Sequence, residues 1–94
     1  MRITFDPKKR ERILRERRVD FKDAASVFDG PTFDVPDLRQ DYGELRIRTA
    51  GYLRRRMVIV VWTPLGDARH IISMRKANDR EQAKYQIENA QDMD

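Results

Sequence analysis

The apolar positions of this chain fall into short runs with different periods. Ile3 and Phe5 alternate with polar neighbours, which predicts a short strand over 2–5. Asp6-Pro7 reads as a helix start, an N-capping carboxylate followed by proline at the first helical position. The helix expected over 8–18 has only Ile13 and Leu14 as strong apolar residues, so most of it faces solvent. Asp20 restarts a helix, with Asp23 three residues on, close to a capping box. Phe21, Ala24, Ala25 and Phe28 fall at i, i+3, i+4 and i+7. They form one apolar stripe, widened by Val27, and Gly30-Pro31 stops it.

Beyond that point the period shortens to two. Thr32 to Val35 suggests a short strand, and 36–43 an acidic, turn-rich loop. Leu45, Ile47, Thr49 and Leu53 face one way, with Arg46, Arg48 and Tyr52 opposite, so this strand is half-buried with a basic outer face. Arg54-Arg55-Arg56 is a hairpin tip. Met57 to Thr63 is apolar on both faces, as a central strand is. Pro64-Leu65-Gly66-Asp67 reads as a turn. Over 69–76, strict alternation puts His70, Ile72 and Met74 on one face and Arg69, Ile71, Ser73 and Arg75 on the other. Asn78 and Glu81 predict a capping box opening a last helix, with Ala83, Ile87 and Ala90 as its apolar stripe and a frayed end. The order β-α-α-β-β-β-β-α predicts one α+β domain over 1–94, an antiparallel sheet packed by helices.

Composition removes several classes of function. The 94-residue chain has no cysteine and one histidine, which excludes a disulfide framework, thiolate metal sites and a two-histidine acid–base pair. No phosphate-cradling glycine loop, nucleophile elbow or metal-ligand cluster is present, so ATPases, serine hydrolases and metallonucleases fit poorly. No apolar run approaches membrane-spanning length and no signal-peptide core follows Met1, so a cytoplasmic location is expected, with no membrane partner.

The net charge of +4 hides an uneven distribution. Residues 1–23 carry net +4, 24–45 net −4, 46–80 net +7 and 81–94 net −3. The +7 block also holds the apolar strands, so its charge sits on a rigid sheet. Eight of its nine basic residues are Arg. Arginine's planar fork matches phosphate oxygens in pairs, and such a sheet suits a nucleic acid.

Three stretches stand out together: Phe5-Asp6-Pro7-Lys8-Lys9 continuing through Val19-Asp20-Phe21 to Phe28; Arg46 to Gly51 with Val58 to Thr63; and Arg69-His70-Ile71-Ile72-Ser73-Met74-Arg75-Lys76-Ala77 with Arg80-Glu81 and Tyr85. They resemble the BrnT family of bacterial toxins, the third most specifically. The resemblance implies a RelE-like fold and a metal-independent ribonuclease without a cofactor. It also implies a BrnA-like antitoxin of ribbon-helix-helix type, through which operator DNA is bound. The chain departs from the family where Glu16-Arg17-Arg18 replaces Lys-His-Gly and Ile13 replaces Asn. Arg18 is then asked to take the left-handed conformation that glycine finds easy, at about 1 kcal/mol.

Metal-free RNA cleavage needs a base for the 2′-hydroxyl, cations for the growing phosphorane charge and an acid for the 5′ oxygen. Arg75, Arg69, Glu81 and Tyr85 are the catalytic candidates, with Lys9, Arg46, Arg48, Ser73 and Lys76 for RNA phosphates. Each has a plain structural alternative: an Arg75–Glu81 salt bridge, a capping role for Glu81, a core position for Tyr85. His70, by alternation, packs with Ile72 and Met74. A non-catalytic nucleic-acid-binding module, or a decayed toxin acting as co-repressor with its antitoxin, remains open at this level.

Overall fold

Five strands and three helices follow the predicted order in the computed structural model, which describes residues 1–86. The strands are β1 (Arg2–Thr4), β2 (Phe33–Pro36), β3 (Ile47–Leu53), β4 (Arg56–Leu65) and β5 (Ala68–Lys76). The helices are α1 (Pro7–Arg17), α2 (Ala24–Asp29) and α3 (Asp79–Lys84). Ile87, Ala90 and the expected frayed end lie outside the described residues.

Helix boundaries sit where the capping chemistry puts them. The Asp6 carboxylate accepts from Lys8 N at 3.0 Å and opens α1. Arg18 closes it in the left-handed conformation, φ 60°, its N–H donating to the Leu14 carbonyl at 3.0 Å. The expected strain at Arg18 is therefore present. Asp20 accepts from Lys22 N and starts a single 3-10 turn, Phe21–Asp23, that runs into α2. Arg10 fixes Asp20 with two bonds of 2.7 and 2.8 Å, tying α1 to that turn.

The sheet order is β1-β5-β4-β3-β2. Its hairpin-linked pairs are antiparallel, but β1 runs parallel to β5, so the sheet is mixed rather than antiparallel throughout. Hairpins dictate direction between chain neighbours; β1 and β5 are joined through the rest of the domain, and no tight turn constrains them. Pro64 and Leu65 belong to β4, leaving a two-residue turn at Gly66-Asp67 with Gly66 at φ 61°. The other tight tip, Arg54-Arg55, has both residues left-handed, φ 49° and 70°, and matches the strand twist as primed turns do.

One sheet face carries the main core. Ile13, Val19, Phe21, Ala24 and Val27 pack against Val58, Val60, Trp62, Ile71 and Met74. Ile13, one of the two strong apolar residues of α1, is buried here. The Trp62 indole N–H donates to Thr49 Oγ1 at 2.8 Å, and that hydroxyl donates to Asp34 at 2.6 Å, so the buried polar atoms are satisfied. The opposite face has a smaller cluster of Ala50, Met57, Ile59, Ala77 and Tyr85. Tyr85 is core, with its ring 5.2 Å from that of Phe33, whereas Ala83 is exposed and buries nothing for α3.

At Gly51, α2 approaches the sheet closely. A Cβ there would stand 2.6 Å from Val27 Cγ1 and 3.2 Å from Thr32 Cγ2. Val27 is fully buried and has nowhere to go. Gly51→Ala is expected to destabilise the domain by about 1–3 kcal/mol in denaturant titration, and to cost less when combined with Val27→Ala than the two singles summed.

A bulge in β5 overturns the expected alternation. Val61 pairs with Ser73 but Trp62 with Ile71, so Ile72 is an extra residue on that strand. Side chains on either side of a bulge change face relative to a regular strand. Ile71 and Met74, three apart, both enter the helix-face core. His70 leaves the apolar set and shares a 2.8 Å hydrogen bond with Thr4. Arg69 does not share a face with Ser73 and Arg75; its guanidinium lies over Phe28 and Trp62, 4.3 and 4.5 Å from their centroids.

Candidate active site

On the sheet face away from the main core, a cleft of about 310 Å³ opens beside β5. Ile59, Val61, Ile72 and Ser73 form its floor, and six cationic side chains surround it. Helix α1 supplies Lys9 and Arg17, the loop after β2 supplies Arg39, Arg46 and Arg48 come from the start of β3, and β5 supplies Arg75. β1 covers only Ala68–His70 of the outer edge of β5, which leaves the rest of that edge to α1. Arg17 fills the gap, donating to Ser73 Oγ at 3.1 Å and to the Met74 carbonyl at 3.3 Å.

Arg75 is held as a fork. Its two terminal nitrogens donate to the two Glu81 oxygens, each at 2.7 Å. The capping box fixes Glu81 in turn: Asn78 N–H donates to Glu81 at 3.0 Å and Glu81 N–H to the Asn78 side chain at 2.9 Å. The Arg75 hydrogen bonds hold the Glu81 carboxyl down to about 2, against the cost of burial, with Asn78 N–H and the charges of Arg75 and Arg48 adding to the shift. Glu81 is thus an anion whose two oxygens are both occupied. The expected capping and salt-bridge roles are both present.

The 37–46 loop is anchored by a buried carboxylate. Asp37 accepts from Arg39 Nε and Nη2 at 2.7 and 2.8 Å, from Arg39 N at 3.3 Å and from the Tyr42 hydroxyl at 3.3 Å. Its pKa is held down to about 2, chiefly by the Arg39 side chain. Asp37 N–H donates to the Arg46 carbonyl at 2.8 Å and closes the base of the loop. Arg46 lies 3.9 Å over the Tyr42 ring and reaches Glu44 at 3.2 Å. Two guanidinium groups are therefore pre-positioned at the cleft rim by the acidic loop.

Lys9, Arg17 and Arg48 have no carboxylate within salt-bridge distance among the described residues. Burial, then the charges of Arg12, Arg46 and Arg17, push the Lys9 amine below the ordinary lysine value of 10.5.

Of the residues singled out in the sequence, Lys9, Arg46, Arg48, Ser73 and Arg75 meet in this cleft, with Glu81 behind Arg75. Arg69 sits over the aromatic pair on the other face, Tyr85 is in the smaller core, and Lys76 is exposed at the strand end outside the cleft. Sequence reasoning missed Arg39, whose signal is an Asp two residues before an Arg inside an acidic loop. It also read Arg17, at the family's histidine position, only as a departure; here it lines the cleft.

This is an α+β domain whose sheet face gathers cations over an apolar floor, beside a hydroxyl, a surface with the charge and donor geometry that phosphate oxygens require. The chain belongs to the BrnT family, described as the ribonuclease toxin of type II toxin–antitoxin systems, whose sequence model matches residues 5–81. Membership brings a protein antitoxin as partner. A comparison with curated proteins gave no match. No helix among the described residues is long and apolar enough to cross a membrane.

Proposed function

We propose that this chain is a cytoplasmic endoribonuclease that cleaves RNA at the cationic cleft without a metal ion. The observation that carries this reading is the convergence of six cationic side chains on one cleft. A divalent cation entering it would meet like charge on every side, whereas a phosphodiester would find paired donors. Arg48, Arg46 and Arg39 hold the backbone of the RNA. Arg75, oriented by Glu81, stabilises the charge that grows on the phosphorane oxygens. Arg17 and Ser73 bind beside it. The 2′ oxygen attacks phosphorus and the bond to the 5′ oxygen breaks, leaving a 2′,3′-cyclic phosphate. The antitoxin is a BrnA-like, ribbon-helix-helix protein that neutralises the toxin and carries it to operator DNA.

Expression of the chain alone is expected to arrest bacterial growth, and co-expression of the adjacent small protein to restore it. RNA incubated with purified toxin in EDTA is expected to yield 2′,3′-cyclic or 3′ phosphate ends. Normal growth at confirmed soluble expression overturns the toxin reading. Cleavage that stops on chelation and returns with magnesium overturns the metal-free one.

A further inference from the structure

We propose that Lys9 is the group that moves the proton in this cleft, its neutral amine taking the 2′-hydroxyl proton of the RNA. This rests on the ribonuclease reading above and adds to it the base that the reaction needs.

Among the described residues lining the cleft there are five arginines, one lysine, one serine and three aliphatic side chains. Arginine does not give up its proton in proteins, so the five guanidinium groups bind and stabilise but cannot act as bases. Ser73 already accepts a hydrogen bond from Arg17 at 3.1 Å, which draws charge from its oxygen. Glu81 is outside the lining, and both its oxygens are bonded to Arg75 at 2.7 Å. His70 is engaged by Thr4 and does not line the cleft. That leaves the Lys9 amine.

The surroundings of Lys9 suit the task. It is half-buried on the inner side of α1, near the first turn of that helix. Arg12 and Arg17 face it from α1 and Arg46 from the approach to β3; Arg39, Arg48 and Arg75 line the same cleft from the loop and the sheet. Against them stand Asp6 at the helix start, which favours the ammonium, Glu44 and Asp37, which are engaged by Arg46 and Arg39, and Glu81, engaged by Arg75. The balance is cationic. Burial first, then the charges of Arg12, Arg46 and Arg17, favour the neutral amine and lower the Lys9 pKa. The step then balances without a co-reactant other than water. Nζ takes the 2′-hydroxyl proton, O2′ bonds to phosphorus and the P–O5′ bond breaks. The 5′ oxygen takes a proton from water, and the hydroxide formed removes the proton from the Lys9 ammonium.

The test uses the purified full chain and a short single-stranded RNA. Lys9→Arg keeps the charge and removes the base, so cleavage is expected to fall by about 10²–10⁴-fold while RNA affinity stays near wild type. Lys9→Ala is expected to regain activity with added ethylamine and not with ethylguanidine. For wild type, log kcat/KM is expected to rise with unit slope to a plateau at the pH where the Lys9 amine titrates by NMR, below the other lysines. Near wild-type cleavage by Lys9→Arg, equal rescue by ethylguanidine, or titration of Lys9 together with the other lysines overturns the proposal while leaving the ribonuclease reading intact. A folded wild-type chain that cleaves no RNA overturns the ribonuclease reading itself, and the role of Lys9 falls with it.

Discussion

Arg75→Ala is expected to lower RNA cleavage by about 10²–10³-fold while the chain stays folded and still binds RNA. The cleft explains the split between rate and affinity. Four other arginines remain to hold the RNA backbone when Arg75 is removed. Arg39 is locked at the rim by Asp37, whereas Arg75 is locked on β5, two residues from Ser73 of the floor: its fork is set by two 2.7 Å bonds to Glu81, and Glu81 is set by the capping box of α3. A pre-oriented cation stabilises charge that appears in the transition state without reorganising as it forms. Arg75→Lys keeps the charge and loses the two-pronged geometry, so it recovers activity only in part. Glu81→Gln leaves Arg75 in place but loosens the fork and reduces the rate less than Arg75→Ala. His70→Ala, bonded to Thr4 outside the cleft, keeps its cleavage rate and loses some thermal stability. Single-turnover cleavage, RNA affinity and thermal midpoint for these variants decide the matter. A folded Arg75→Ala that cleaves at near wild-type rate overturns the assignment, as does a folded His70→Ala that binds RNA and cannot cleave.

Local chemistry made much of this architecture legible. Asp6-Pro7, Asp20 and the Asn78–Glu81 box act at their expected positions because capping depends on residues only two or three apart. Arg18 adopts φ 60° for the same reason: α1 ends there, and the next residues must turn back toward the core. The period-two pattern of β3 held, with Ile47 and Leu53 against the main core and Arg48 in the cleft. Alternation failed in β5, where a one-residue bulge opposite Val61 and Trp62 reversed the faces. A bulge is settled by tertiary packing. Here the volume of the Trp62 ring and the need to bury both Ile71 and Met74 are invisible to a pattern that counts by two. That single residue moved Arg69 out of the company of Arg75 and freed His70 from the core. The contribution of the acidic loop was hidden for another reason: Asp37 and Arg39 matter through a fork and a burial that composition reads only as charge.

Asp37→Ala is expected to destabilise the domain by about 2–3 kcal/mol and to lower RNA cleavage without touching a floor residue of the cleft. The Asp37 side chain is completely buried and accepts from Arg39 and from Tyr42. Removing it strands a guanidinium that is 59% exposed and can turn into water, which keeps the penalty below that of a fully buried pair. Arg39 then leaves the rim, and Tyr42 loses the bond that steadies it beneath Arg46. Acid is expected to produce the same loss reversibly. Asp37 falls from 3.8 to about 2 on folding and Glu81 from 4.5 to about 2, so folding favours their charged forms. Their contribution is complete above about pH 5 and disappears as the pH falls from 4.5 toward 2. Denaturant titrations from pH 7 to pH 2 are therefore expected to show stability dropping across that window in wild type and more shallowly in Asp37→Asn. Arg39→Ala leaves the carboxylate with only the backbone and Tyr42 as donors, so its acid transition moves to higher pH. Equal slopes in wild type and Asp37→Asn would show that the buried fork is not what holds the loop against the cleft.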